Sequence, residues 1–262
     1  MSTSERSRRR RPLPASEGFV VGGKRATTGA LRAGQVKRVF VARGSRRSEG
    51  LDELLREAAG SNASVEWRDR ADLDELHQGG DHQGVVALVV APSELSDREL
   101  AGMPLAPDAL VVILDGITDP QNFGASARSA EAAGVAVLIT RDRRSAPLSP
   151  AAVRASTGAL LHLPVARVTN LTRAIESLKD RGFTVVGLDH RSPMNIYDQA
   201  APARPLALVV GAEDVGLSRL VAESCDQLVS IPMVGLTGSL NAAAALAVAL
   251  FGYVLHPPPP QP

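Results

Sequence analysis

Ile231-Pro-Met-Val-Gly-Leu-Thr-Gly-Ser239-Leu240-Asn241, followed by Ala-Ala-Ala-Ala-Leu-Ala-Val-Ala-Leu250, is the stretch around which the chain is organised. Pro232 breaks an apolar strand end, and Gly235 and Gly238 let the backbone bend tightly. Ser239 or Asn241 is placed to cap a helix whose first-turn amides face the loop. Strand-loop-helix junctions occur in every α/β protein, so alone this one reads equally as a turn or as a ligand cradle. The sequence on either side decides between them.

Upstream, apolar runs alternate with helical patterns. A buried-strand run, Ala109-Leu-Val-Val-Ile-Leu114, is followed by a helix through Ser126–Ala133, strand Val135–Thr140, helix Pro150–Thr157 and strand Leu160–Val165. Helix Leu171–Asp180, strand Thr184–Leu188, strand Leu206–Val210, helix Leu217–Glu223, strand Gln227–Ile231 and the helix from Asn241 complete it. Continuous apolar strands alternating with helices predict an α/β fold with a parallel sheet covered on both faces. Ahead of it, residues 18–92 read as a compact αβ module: a helix over Gly29–Ala33, strand Val36–Ala42, helix Leu51–Ala59 and strands Ser64–Trp67 and Val85–Val90. Asp81-His82-Gln83-Gly84 precedes its last strand, where side chains can face a ligand, although a lone histidine is more often structural. Residues 93–108, with Pro104 and Pro107 after Pro92, read as an interdomain linker containing a short helical pattern, Glu94–Leu100.

The 262 residues, 44% of them hydrophobic, suffice for two domains with sizeable cores. The one cysteine, Cys225, excludes an internal disulfide framework and sits among apolar neighbours, as a packed thiol rather than a nucleophile. No run approaches the roughly 20 apolar residues of a membrane helix, and no apolar signal core follows the first charges, so a soluble, cytoplasmic protein is expected. The net charge of +1 hides an asymmetry: residues 1–11 carry five arginines against Glu5, leaving 24 basic and 27 acidic residues elsewhere. Residues 1–17 are expected to be a disordered basic tail, either a polyanion tether or a solubilising end, and residues 257–262 a proline-rich tail. With aromatics at 3%, base stacking is not expected to be the main mode of any nucleic-acid recognition.

Ligands on open parallel sheets bind beyond the carboxyl ends of the strands, which singles out three loops. The first is Asp115-Gly-Ile-Thr-Asp-Pro-Gln-Asn122-Phe-Gly-Ala-Ser-Ala-Arg128, in which Asn122 and Arg128, six residues apart near a helix start, are expected to address one site. The second is Gly211-Ala-Glu213-Asp-Val-Gly216, which is not the dinucleotide fingerprint, since an acid follows Ala212 where the second glycine would fall. The third is the stretch quoted at the outset.

In this order, the three loops resemble the three motifs of the SpoU/TrmH family of RNA ribose 2′-O-methyltransferases, within the SPOUT superfamily. Asp81-His-Gln-Gly84 and Arg154-Ala-Ser-Thr-Gly158 bring the chain nearest to the 23S rRNA guanosine branch. The resemblance covers nearly everything from Gly18 to His256. It implies a catalytic SPOUT domain over 109–256 with a deep trefoil knot in residues 210–256, and before it, over 18–92, a ribosomal-protein-like αβα domain that binds RNA. It implies S-adenosylmethionine as cofactor, held mostly through backbone at Gly211, Ile231 and Leu240, with Met233 and Gly216 beside them, no metal, no membrane, and a homodimer with each site completed near the subunit interface. Arg128 is assigned to activating the 2′-hydroxyl, with Asn122, Glu213, Ser239 and Asn241 positioning it or the substrate. Because a guanidinium stays protonated, Arg128 is better suited to binding phosphate and stabilising developing alkoxide than to acting as a base. The chain departs from the family's usual Ser-Leu-Asn-Val-Ser by reading Ser-Leu-Asn-Ala-Ala, which loses a hydroxyl at Ala243, and Gly22-Gly-Lys-Arg25-Ala-Thr-Thr-Gly-Ala-Leu31 is looser than the usual pattern. Alternative expectations are a tRNA or an antibiotic-resistance rRNA target, and, in a different class, a non-catalytic RNA-binding or ribosome-assembly factor.

Overall fold

The computed structural model describes residues 18–77, 81–198, 200–236 and 238–255. The expected tails, 1–17 and 257–262, lie outside the described residues. The chain divides into two compact units at Ala91/Pro92.

The first unit contains β1 (Phe19–Gly22), α1 (Lys24–Arg32), β2 (Val36–Ala42), α2 (Glu49–Ala59), β3 (Ser64–Arg68), α3 (Arg70–Leu76) and β4 (Val85–Val89). Its sheet runs β1-β4-β2-β3, with β4 antiparallel to both neighbours and β2 parallel to β3. The alternation of a strand sorts the side chains: Phe40, Ala42, Val86 and Leu88 form a cluster with Leu73 of α3. The opposite face is covered by α1, against which α2 packs. Two elements were not foreseen. β1 is four residues long with a glycine at its end, and α3 is seven residues long and follows β3 after only Asp69, so each spans no more than about two periods of its pattern.

The second unit holds α4 (Asp97–Gly102), β5 (Leu110–Asp115), α5 (Pro120–Ala132), β6 (Val137–Arg141), α6 (Pro150–Ala155), β7 (Val165–Val168), α7 (Leu171–Asp180), β8 (Thr184–Leu188), β9 (Leu206–Gly211), α8 (Arg219–Ser224), β10 (Gln227–Val229) and α9 (Ala242–Ala249), which closes in a π turn over Leu250–Val254. Six strands, all parallel, lie in the order β10-β8-β9-β5-β6-β7. Every residue of β5 and β9 is buried, as a sheet covered on both faces requires. Val111, Ile113, Val137, Ile139, Val185 and Val209 pack on one face with Leu100 of α4, Leu171, Ile175 and Leu178 of α7 and Val221 of α8. Against the other face lie α5, α6 and α9, with α9 packed on α5 and β9. Gly124 lets α5 and α6 touch: a Cβ there would lie 2.4 Å from the Ala152 carbonyl oxygen.

Three sequence expectations give way here. The stretch read as a linker is built into the second unit. Leu95 exchanges backbone hydrogen bonds with Val165 and Arg167 (2.8 Å each), Glu94 pairs with Arg167 at 2.6 Å, and Leu95, Leu100, Met103 and Leu105 join the core. Prolines punctuate this stretch without detaching it, because its apolar residues gain more by burial than a free connector would, at about 1.5–3 kcal/mol for each fully buried leucine. The expected strand Leu160–Val165 is instead a 3-10 turn over Ala159–Leu161, and strand begins only at Val165, after Pro164, which has no N–H for a ladder. Finally, α5 starts six residues earlier than expected, at Pro120, because the Asp119 side chain accepts from the Gln121 amide and proline suits a first helical position.

Candidate active site

Three consecutive strand ends build a pocket that is open to solvent. Leu188 ends β8 and leads into Asp189 and His190. Val210 and Gly211 end β9 and lead into Ala212, Glu213 and Gly216, and Val229 ends β10 and leads into Ile231 and Met233. Gly238, Ser239, Leu240 and the α9 residues Ala242 and Ala245 complete the wall. All five residues expected at a cofactor, Gly211, Gly216, Ile231, Met233 and Leu240, therefore line one cavity, together with Glu213 and Ser239.

The loop after β9 is shaped by its glycines. Gly216 adopts a left-handed φ of 69° and donates to the Ala212 carbonyl at 2.7 Å, closing the loop on itself. Gly211 fits beneath it: a Cβ there would lie 2.1 Å from the Gly216 carbonyl carbon and 2.2 Å from its oxygen. Asp115, buried at the end of β5, braces the far side of this loop by accepting from the Ser218 amide (2.7 Å) and from Arg141 (3.1 Å). By contrast, Gly235 and Gly238 have no positive φ and nothing near an added Cβ, so the tight path expected of them is not used here.

The closed loop aims Glu213 at two asparagines. Its Oε1 accepts from Asn122 Nδ2 and Asn241 Nδ2, both at 2.6 Å, and more weakly from the Ala242 amide at 3.4 Å. Asn241 Nδ2 also donates to Asn122 Oδ1 at 2.8 Å. The orientation of Asn241 follows from its surroundings. Its Oδ1 accepts from the Ala243 and Ala244 amides (3.0 and 3.2 Å) as the N-cap of α9, which leaves the NH₂ to face a carboxylate that can only accept. Residues 91 and 119 apart in sequence from their partners thus meet at the rim of the pocket. Ala243, where the resemblance led to an expected hydroxyl, is buried in α9.

Arg128 does not join this junction. Six residues beyond Asn122 on α5, it is turned about 120° around the helix axis. It is exposed, absent from the pocket wall, and without a hydrogen bond or ion pair among the described residues. Being close in sequence on a helix did not place the two on one face.

Asp189 and His190 were missed, although the strand-end rule that flagged three loops also covers β8. The Asp189 side chain is nearly buried, and Arg191 grips both of its oxygens, with Nε to Oδ1 at 3.0 Å and Nη2 to Oδ2 at 2.9 Å. That hydrogen bonding holds its carboxyl below the usual range despite burial. Cys225 lies away from the pocket wall and bonds the Val221 carbonyl at 3.3 Å. Burial pushes its thiol up to about 12, so it stays protonated and inert. Among the described residues no group of three or more His, Cys, Asp or Glu could hold a metal ion, and no helix is long and apolar enough to cross a membrane.

Residues 109–251 match the SpoU rRNA methylase family, and residues 20–95 match the RNA 2′-O ribose methyltransferase substrate-binding domain. A protein of Mycobacterium avium, described as an uncharacterized tRNA/rRNA methyltransferase, is 42% identical over 245 residues, covering 92% of this chain and 79% of its own. One of Staphylococcus haemolyticus, assigned to the TrmH family of tRNA/rRNA methyltransferases, is 37% identical over 244 residues, covering 90% and 94%. Among solved structures, an RNA 2′-O ribose methyltransferase superposes with a TM-score of 0.74 at 28% identity, over 90% of this chain and 88% of that one. The SpoU methyltransferase AviRb of Streptomyces viridochromogenes, in complex with AdoMet, superposes at 0.72 with 31% identity, over 90% and 89%. Fold and site together define an RNA 2′-O-methyltransferase with a substrate-binding domain ahead of its parallel sheet. The chain belongs to the SpoU rRNA methylase family.

Proposed function

We propose that the enzyme transfers a methyl group from S-adenosylmethionine to a ribose 2′-hydroxyl, and that its target is a guanosine of 23S rRNA. The observation that carries this reading is the Asn122–Glu213–Asn241 junction at the rim of a strand-end pocket walled by Gly211, Ile231 and Leu240. The pocket suits the cofactor in character: its wall is mostly apolar side chains, glycines and backbone, with Asp189, His190 and Glu213 as the ionisable members. Gly211, Gly216, Ile231, Met233 and Leu240 would hold it. When bound, S-adenosylmethionine supplies an electrophilic methyl on a sulfonium.

The residues of the chain then have orientation as their main task, since in-line alignment is the large entropic part of such a transfer. Asn122 and Asn241 fix the Glu213 carboxylate through one oxygen, leaving Oε2 free to accept from a ribose hydroxyl. Ser239, exposed on the pocket wall, offers a second polar contact. Arg128 is read as a phosphate and alkoxide partner at a site completed by a second copy of the chain. Apolar surface for that copy is present in Val234, Leu236 and Phe251, all exposed. The reading includes the trefoil knot over residues 210–256: the chain crosses from β10 at the sheet edge to α9, which packs on α5 and β9. The pH-rate profile of Arg128→Lys tests the role of the arginine. Low activity at every pH is expected, whereas full activity that appears only above the lysine pKa would show a literal base. Mapping 2′-O-methyl positions in rRNA and tRNA from cells with and without the gene tests the target, and a tRNA position that depends on the gene would replace the rRNA assignment.

A further inference from the structure

One end of the first unit is built to present cations and one glutamine. Because β4 is antiparallel to β1 and β2, the turn before β4, the loop after β2 and the start of α1 gather at the same end of the sheet. They are tied together: the Ala42 amide donates to Gly84 O (2.8 Å), the Gly23 amide to Val85 O (3.0 Å), and Lys24 Nζ to Ser48 Oγ (2.9 Å). Within this cluster Arg25 and Arg46 are exposed and have no ion pair among the described residues. Arg43 and Arg47 reach Asp69 and Asp52 only at 3.6 Å, with their own side chains 68% and 92% exposed, so these contacts neutralise little in water. At the opposite end of the unit Arg32 is bound by two carboxylates, Glu53 at 2.7 Å and Glu57 at 2.8 Å.

Gln83 projects from the middle of this cluster in a left-handed conformation, φ 51°, uncommon for a residue with a side chain. The conformation is held from below. His82 is 1% exposed; its Nδ1 accepts from the Gly84 amide at 3.1 Å, which puts the ring proton on Nε2, facing Asp74 Oδ1 at 2.9 Å. The Asp81 carboxylate accepts from the Gln83 amide at 2.9 Å. The turn is therefore fixed, while the Gln83 side-chain amide is exposed and has no partner among the described residues. Strain kept in place by a buried lock marks a site of use more often than an accident of packing.

We infer that this end of the first unit is the RNA-reading face, where Arg25, Arg43, Arg46 and Arg47 contact phosphates and Gln83 hydrogen-bonds a nucleotide edge. The assignment rests on the RNA methyltransferase reading above and gives it a recognition surface. A cluster of exposed arginines, two without an ion pair among the described residues and two held only at 3.6 Å, fits a phosphate backbone, and a planar amide with donor and acceptor fits a base edge. His82 and Asp74 are positioning residues, acting through the turn.

Binding of the full chain to a 23S rRNA transcript and to a tRNA transcript, measured across a salt series, tests it. The triple variant Arg25→Ala/Arg46→Ala/Arg47→Ala should lose affinity for the preferred transcript, and the slope of log affinity against log salt should shrink by about 0.7–0.9 per phosphate contact removed. Arg32→Ala, at the other end, should leave affinity and slope unchanged. Gln83→Gly, which suits the left-handed turn and so should fold, should bind about 10-fold more weakly with the slope unaltered. Calorimetric titration with S-adenosylmethionine separates the two levels. If wild type binds the cofactor and RNA while the triple variant keeps the wild-type slope, or Arg32→Ala loses as much, the RNA-reading face is overturned and the enzyme reading stands. If wild type binds neither cofactor nor RNA, the enzyme reading falls first.

Discussion

Asn241→Asp isolates what the junction does. The substitution keeps the oxygen that caps α9, since Oδ1 still faces the Ala243 and Ala244 amides, but replaces the NH₂ with a carboxylate oxygen. That oxygen would stand 2.6 Å from Glu213 Oε1 and 2.8 Å from Asn122 Oδ1, both acceptors. Two hydrogen bonds are lost at about 0.5–1.5 kcal/mol each on an exposed rim. Two like charges at that spacing in a water-like dielectric add about 1.6 kcal/mol against the productive geometry. The total, about 3 kcal/mol, corresponds to a fall of roughly 100-fold in kcat/KM. Glu213 is exposed and can relieve the repulsion by rotating outward, so the loss should fall on activity, with the melting temperature within a few degrees of wild type. Glu213→Gln alone retains an oxygen able to accept from both asparagines but puts an NH₂ where Oε2 would accept from the ribose hydroxyl, and should cost about 10-fold or more. Combining it with Asn241→Asp restores a donor–acceptor pair of reversed polarity and should recover about 10-fold over Asn241→Asp. Incorporation of tritiated methyl into an rRNA transcript provides the assay. Asn241→Asp within threefold of wild type, or a double variant that recovers nothing, would refute the role given to these bonds.

The remaining predictions follow from packing and charge. Gly211→Ala should destabilise the chain by about 1–3 kcal/mol or more and abolish cofactor binding, because its Cβ meets the Gly216 backbone at 2.1 Å, whereas Gly235→Ala and Gly238→Ala should melt like wild type; differential scanning calorimetry compares the three. Cys225, whose thiol burial pushes up to about 12, should resist alkylation by iodoacetamide at pH 8 in the folded protein and react fully in denaturant; rapid native labelling would contradict its placement. The Asp189 carboxyl, lowered in the folded state by Arg191, contributes stability that is present above its unfolded pKa and lost as pH falls through the folded value. Arg191→Ala should therefore move the acid-unfolding midpoint, followed by circular dichroism, to higher pH.

The parallel sheet was legible because buried strands leave uninterrupted apolar runs, and β5, β8 and β9 fell within a residue of where the sequence put them. The junction was legible residue by residue but not as a junction. Nothing local in the sequence joins Asn122 to an asparagine 119 residues later, and only the ordered family motifs brought the pair to one site. Where the sequence reading failed, helical angle and burial had been ignored. Arg128 follows Asn122 closely but points elsewhere, and the proline-marked stretch after Pro92 is core because Leu95, Leu100, Met103 and Leu105 have somewhere to pack. Gly211 is a subtler case. Glycine was expected there for close approach of a ligand, and its absent side chain is filled by the chain's own backbone at Gly216.

The central claim is that this pocket delivers a methyl group to a ribose hydroxyl. Incubating the protein with tritiated S-adenosylmethionine and a 23S rRNA transcript, then digesting the RNA to nucleosides, tests it most directly. Label that co-elutes with 2′-O-methylguanosine and disappears in Asn241→Asp is the predicted result. Label on a base, or no transfer to rRNA or tRNA by a protein shown to bind the cofactor, would contradict it.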